Sequence, residues 1–140
     1  ERHDTRDVDD QHVNGNLTVI WRDWDDHHLK SPKMVYLTSV GPNEKKGPHL
    51  HTQRNSFFSC IKGKVHFIIK DKTGTYHEIE MSADKPQLLF IPKNIPAAHI
   101  NTETEIATIL ALTDISWKPE NTEMKNVRFD DYQWEKWSNS

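Results

Sequence analysis

Residues 45–67, "KKGPHLHTQRNSFFSCIKGKVHF", decide the fold. Two histidines, His49 and His51, stand one residue apart, and two apolar runs follow on either side of "KGK" at 62–64. Side chains alternate between the faces of an extended strand, so His49 and His51 share one face and Leu50 takes the other. Gly63 supplies the positive φ that a tight hairpin between the two apolar runs requires. The segment therefore reads as a histidine-bearing strand followed by a β-hairpin.

The same two-residue beat extends in both directions. Strands are predicted at 17–21, 34–40, 56–61, 64–70, 76–81, 87–91 and 106–113, rich in Val, Ile, Thr and aromatic residues. Turns fall at "DKTG" (71–74), "SADKP", "PKNIP" and "NTETE". No sustained helical stripe or internal repeat is present. Short strands with regular turns in a chain of 140 residues imply one all-β domain, an antiparallel sandwich or barrel. Its core spans about 17–115, and an aromatic tail, 116–140, packs on the barrel or on a partner subunit.

Composition narrows the function classes. The net charge of −3 and the lack of a basic stripe argue against nucleic acid as a partner. Cys60 is the only cysteine, which excludes an intramolecular disulfide and a Cys-rich structural zinc site; set in an apolar run, it reads as a buried small side chain. The charged opening residues carry no apolar segment, and no stretch is long enough to cross a membrane, so a soluble, cytoplasmic protein is expected. A polar chain with strand edges to cover is expected to form a homodimer.

The histidines carry the chemistry. His99, in "IPKNIPAAHIN", follows a predicted strand, and a barrel would bring it opposite His49 and His51. Three imidazoles can hold zinc and leave one position open. Alternatively, a histidine that titrates near neutrality can move protons. His27 and His28 sit in a charged loop and read as surface residues, while His66 and His77 are given no role.

With His49-Leu50-His51, Gly63 and His99 in place, the stretch 42–101 resembles a cupin. Closer still, "KKGPHLH" resembles the R-R-G-x-H-A-H stretch of nucleotide-sugar 3,4-ketoisomerases. These share the RmlC-like barrel with the dTDP-4-dehydrorhamnose 3,5-epimerases. The resemblance implies a double-stranded β-helix and a cofactor-independent epimerase or ketoisomerase. Its substrate would be a nucleotide-linked 4-keto-6-deoxyhexose, dTDP-linked by analogy, on the way to a bacterial surface polysaccharide such as lipopolysaccharide O-antigen.

By the same resemblance His49 is the base and His51 its partner or the oxyanion donor, with the two roles exchangeable. Tyr36 lines the pocket as a further catalytic group, and Lys46, Arg54, His99 and Tyr132 contact substrate. Three departures stand out. Asn55 and Ser56 occupy the place where metal-binding cupins carry an acid. Ile115 and Ser116 replace a family tyrosine, and Lys46 replaces an arginine. The alternatives are a metal enzyme using His49, His51 and His99 as ligands, or a carbohydrate-binding barrel without catalysis.

Overall fold

The computed structural model describes residues 1–25, 28–29, 31–120 and 122–138. Among them the β-branched and aromatic runs form two facing sheets and a separate hairpin. The hairpin pairs β1 (Arg2–Arg6) with β2 (Val13–Thr18). One sheet has the order β3 (Met34–Val40), β10 (Ala107–Thr113), β5 (Ser56–Lys62), β8 (Leu89–Ile91). The other runs β11 (Met124–Asn126), β4 (Lys45–His51), β9 (Ala97–Ile100), β6 (Lys64–Lys70), β7 (Tyr76–Ser82). Pairing throughout is antiparallel. This is the expected double-stranded β-helix.

Three strand readings shift. The predicted strand at 17–21 is displaced to Val13–Thr18, because its partner is the charged opening segment Arg2–Arg6, which has no apolar alternation to announce it. The short strand β9 follows the "PKNIP" loop, and β11 emerges from the polar tail.

Alternation sets the interior. Val40, Cys60, Val65, Phe67, Ile69, Met81, Ile91, Ala107 and Ile109 pack between the sheets at one end, with Cys60 buried and unpaired as expected. At the other end the inward positions of β3 and β4 turn polar, and the sandwich opens into a cavity.

The tail aromatics cover the outer face of the five-stranded sheet. Phe129, Tyr132, Trp134 and Trp137 gather around Ile68 and Ile100, with a short 3-10 helix at Trp134–Trp137. Burying aromatic surface against those apolar side chains stabilises the tail. His28 is exposed and stacks on Phe90 at 4.4 Å; His27 lies outside the described residues. No helix among the described residues is long and apolar enough to cross a membrane.

Candidate active site

The cavity encloses roughly 640 Å³. Phe58, Phe67, Ile91, Ile95 and Ala97 make part of its wall apolar, and Met34, Trp117 and Met124 also line it. Its polar groups are Tyr36 and Thr38 from β3, Lys46, His49 and His51 from β4, Arg54 from the following loop, and His99 from β9. Six of the seven residues singled out in the sequence are thus brought together: His49, His51, Tyr36, Lys46, Arg54 and His99.

Lys46 and His49 are three residues apart, and strict alternation would send them to opposite faces. A bulge resolves this. The register of β4 against β9 slips between Lys46, opposite His99, and His49, opposite Ala97. Gly47 sits in the slip at φ +87°, and a Cβ there would stand 2.9 Å from the backbone oxygen of Ala97. Only glycine fits that conformation in that space. Lys46 then reaches Thr38 Oγ1 with its Nζ at 2.8 Å.

Tyr132 is the exception. It lies on the outer face of the sheet, where its hydroxyl donates to Glu78 Oε1 at 2.9 Å and accepts from Trp137 Nε1 at 2.8 Å. The aromatic count of the tail is explained by Ile68 and Ile100, which need cover on that face. The tail instead lends the cavity Trp117 and Met124.

The acid absent from its usual place arrives from elsewhere. Asn55, in that place, is a loop pin: its Nδ2 donates to Asp114 Oδ2 at 2.7 Å, and its Oδ1 accepts from the Lys93 N–H at 2.9 Å. Strand β11 pairs with β4 so that Met124 faces His51 and Asn126 faces His49. This register sets Glu123 Oε1 2.8 Å from His51 Nδ1, and Asn126 Oδ1 3.0 Å from His49 Nδ1. The Gln53 N–H reaches Glu123 Oε2 at 3.4 Å, and Arg54 Nε lies 3.2 Å from Oε1. That last contact is an ion pair by distance only: the carboxylate stands off the N–H axis, and the buried Nε has no hydrogen-bond acceptor.

Burial governs the electrostatics. It lowers the His51 pKa, outweighing the hydrogen bond and charge of Glu123, which act in the opposite direction. Burial, with the charges of Lys46 and His49 beside it, pushes His99 down to about 4. Its Nε2 is sealed from water without a partner. Burial also raises the Tyr36 hydroxyl, against the influence of the neighbouring Arg54 guanidinium. At neutral pH the cavity therefore presents neutral His51, neutral His99 and a protonated tyrosine.

Among the described residues, one group of three potential ligands has its donor atoms within 4.8 Å of one another, and it is Asp7, Asp10 and His12 on the N-terminal hairpin. The donor atoms of His49, His51 and His99 are not grouped so closely, and the Nδ1 contacts of the first two to β11 leave Nε2 as their free nitrogen.

The family described as FdtA: WxcM-like, C-terminal matches residues 2–133. The chain belongs to this FdtA family. Its fold is shared with a dTDP sugar isomerase from Desulfovibrio desulfuricans G20, at 20% identity and TM-score 0.75 over 93% of this chain and 82% of that one. NovW from Streptomyces spheroides, a 4-keto-6-deoxy sugar epimerase from the novobiocin biosynthetic gene cluster, gives 12% identity and TM-score 0.73 over 92% and 66%. The capsular polysaccharide assembling protein CapF from Staphylococcus aureus gives 19% identity and TM-score 0.63 over 66% of this chain, which spans only 26% of CapF. At these identities the likeness establishes the fold. No curated protein matches the chain significantly.

Proposed function

We propose that the FdtA-family chain is an isomerase of a nucleotide-linked 4-keto-6-deoxyhexose. The reaction moves a proton next to the ketone, by epimerisation or by shifting the ketone to the neighbouring carbon. The observation that carries this reading is the pair His49 and His51 on one wall of a cavity, each held through Nδ1 and so leaving Nε2 as the nitrogen free for substrate. The FdtA-family match and the fold shared with a dTDP sugar isomerase and a 4-keto-6-deoxy sugar epimerase support the substrate class.

A proton on the carbon beside a ketone is acidic enough for a neutral imidazole to remove. The electron pair then moves onto the oxygen as an enediolate, which needs a hydrogen-bond donor. Tyr36, protonated and lining the cavity, supplies one on this reading. The apolar wall from Phe58, Phe67 and Ile95 suits the methyl end of a 6-deoxy sugar, and Lys46 offers a point charge to the diphosphate. Synthesis of a bacterial surface polysaccharide is the setting this substrate implies, in keeping with the partial likeness to CapF.

The test is direct. Purified protein is incubated with a dTDP-linked 4-keto-6-deoxyhexose and the sugar is followed by NMR. A moved ketone or an inverted carbon supports the reading. An unchanged sugar at high enzyme concentration, with the nucleotide bound, would leave only a carbohydrate-binding barrel.

A further inference from the structure

Two cations line the cavity, and their surroundings differ. Lys46, near the start of β4, is exposed, whereas Arg54, in the loop past its end, is 8% exposed. His49 and His51 lie between them along the chain. A hexose seated on the histidines with its diphosphate on Lys46 turns its other side toward Arg54.

The guanidinium is held close to where the chemistry would occur. Glu123 Oε1 lies 2.8 Å from His51 Nδ1 and 3.2 Å from Arg54 Nε, so one carboxylate oxygen draws the guanidinium beside the imidazole. The Tyr36 hydroxyl is a second neighbour of Arg54. The charge of Glu123 offsets part of the cost of burying the cation. It does not satisfy the donors. Nε has no acceptor, and a guanidinium carries five N–H groups in one rigid plane. A buried donor without an acceptor is destabilising, and the cavity that Arg54 lines is where a ligand can supply one.

We propose that Arg54 is a catalytic residue that binds the sugar's ketone oxygen: with Tyr36 it forms a two-donor site that holds this oxygen and stabilises the enediolate. The assignment rests on the isomerase reading and deepens it, since it moves Arg54 from general substrate contact to the reacting oxygen. The substrate C–H bond breaks, its proton passes to the histidine pair, and its electron pair moves onto the ketone oxygen. Arg54 keeps its own protons, because a guanidinium is not deprotonated in proteins, and donates hydrogen bonds as the charge develops. The histidine pair then returns the proton to the neighbouring carbon or to the other face. No oxidant or reductant enters.

The experiment separates the sugar from the nucleotide. Binding of dTDP and of a dTDP-linked 4-keto-6-deoxyhexose is titrated, and turnover is followed by NMR, for wild type, Arg54→Met, Arg54→Lys and Lys46→Met. Arg54→Met is expected to lower kcat by about 10²–10³-fold, the loss that follows removal of one oxyanion donor. Its affinity for the keto sugar nucleotide falls about tenfold or more, while its affinity for dTDP stays within about twofold. Lys46→Met shows a different split, weakening both ligands alike. Arg54→Lys keeps the charge without the fork and recovers part of the rate. Should Arg54→Met fold poorly, Arg54→Lys decides, together with Arg54→Met/Glu123→Gln measured against Glu123→Gln. Loss of dTDP binding in Arg54→Met with kcat kept at saturation would place Arg54 on the diphosphate and overturn the proposal. A kcat within a few-fold of wild type would do the same. If the wild type converts no sugar nucleotide, the isomerase reading fails, and the two affinities still judge whether Arg54 holds the ketone oxygen.

Discussion

His51 Nδ1 lies 2.8 Å from Glu123 Oε1 across 72 residues of sequence. The contact exists because β11 adds itself to the edge of β4, placing Met124 opposite His51. A carboxylate thus reaches the histidine pair from the tail, while the position after the H-x-H strand is given to Asn55 and the loop it pins. The Arg54 side chain, 8% exposed, shares that carboxylate, so buried Arg54 and Glu123 are electrostatically linked to half-buried Tyr36 and His51.

Breaking the Arg54–Glu123 pair from one side is predicted to be costly. Arg54→Met leaves Glu123 buried beside a histidine alone, and about 3 kcal/mol of stability should be lost, as for other buried pairs opened on one side. The double variant Arg54→Met/Glu123→Gln should recover part of that loss, since no charge is left stranded. Urea unfolding of the four proteins checks both. A single variant within about 1 kcal/mol of wild type would show that the pair is not a buried charge pair in solution.

Gly47→Ala should damage the site more than the fold. The substitution strains a backbone at φ +87° and drives a methyl to 2.9 Å from the Ala97 oxygen, so the β4 bulge must reshape. Lys46 and His49 then lose their common face. Nucleotide binding and turnover should both fall, with a stability loss on the order of 2 kcal/mol. Calorimetric titration with dTDP, alongside thermal melts, separates the two effects; wild-type binding would mean that the bulge does not set the direction of Lys46.

His99 predicts how stability responds to acid. Its pKa falls from 6.5 to about 4 on folding, so the unfolded chain binds the proton more readily. Stability from this group is complete above pH 6.5 and is lost as pH falls toward 4. The full loss approaches about 3 kcal/mol. His99→Asn should flatten that part of the curve. Equal slopes for wild type and variant between pH 7 and 4 would place the titration elsewhere.

The pH dependence of turnover follows from His51. A proton-transfer pair built on neutral imidazoles loses activity once His51 is protonated, so kcat/KM falls when the pH drops through its pKa. Burial puts that value below the ordinary 6.5. The acid limb of the profile should therefore lie below pH 6.5, and a limb at or above it would contradict a part for buried His51 in the transfer.

The strands and the histidine pair were legible because alternation is a local signal: His49, His51 and Gly63 announce a strand and a hairpin within 23 residues. His99 follows from the barrel that such strands build, and Tyr36 from the family resemblance. Glu123 was not legible. It lies in "NTEMKN", which has no apolar beat, and only the register of β11 gives it meaning. Lys46 reaches the cavity through a bulge, which breaks the alternation that sequence reasoning relies on. Tyr132 shows the reverse limit. Its aromatic neighbours signalled burial correctly, but which face of the sheet they cover depends on Ile68 and Ile100 across the fold.

Solvent deuterium tests the central claim most directly. The wild-type protein is mixed in D₂O with a dTDP-linked 4-keto-6-deoxyhexose, and the ring protons are read by NMR. Proton transfer through an imidazole predicts deuterium at the carbon beside the ketone, lost in the double variant His49→Asn/His51→Asn while dTDP binding persists. A product formed with no solvent deuterium, or undiminished exchange in the double variant, would contradict proton transfer by the histidine pair.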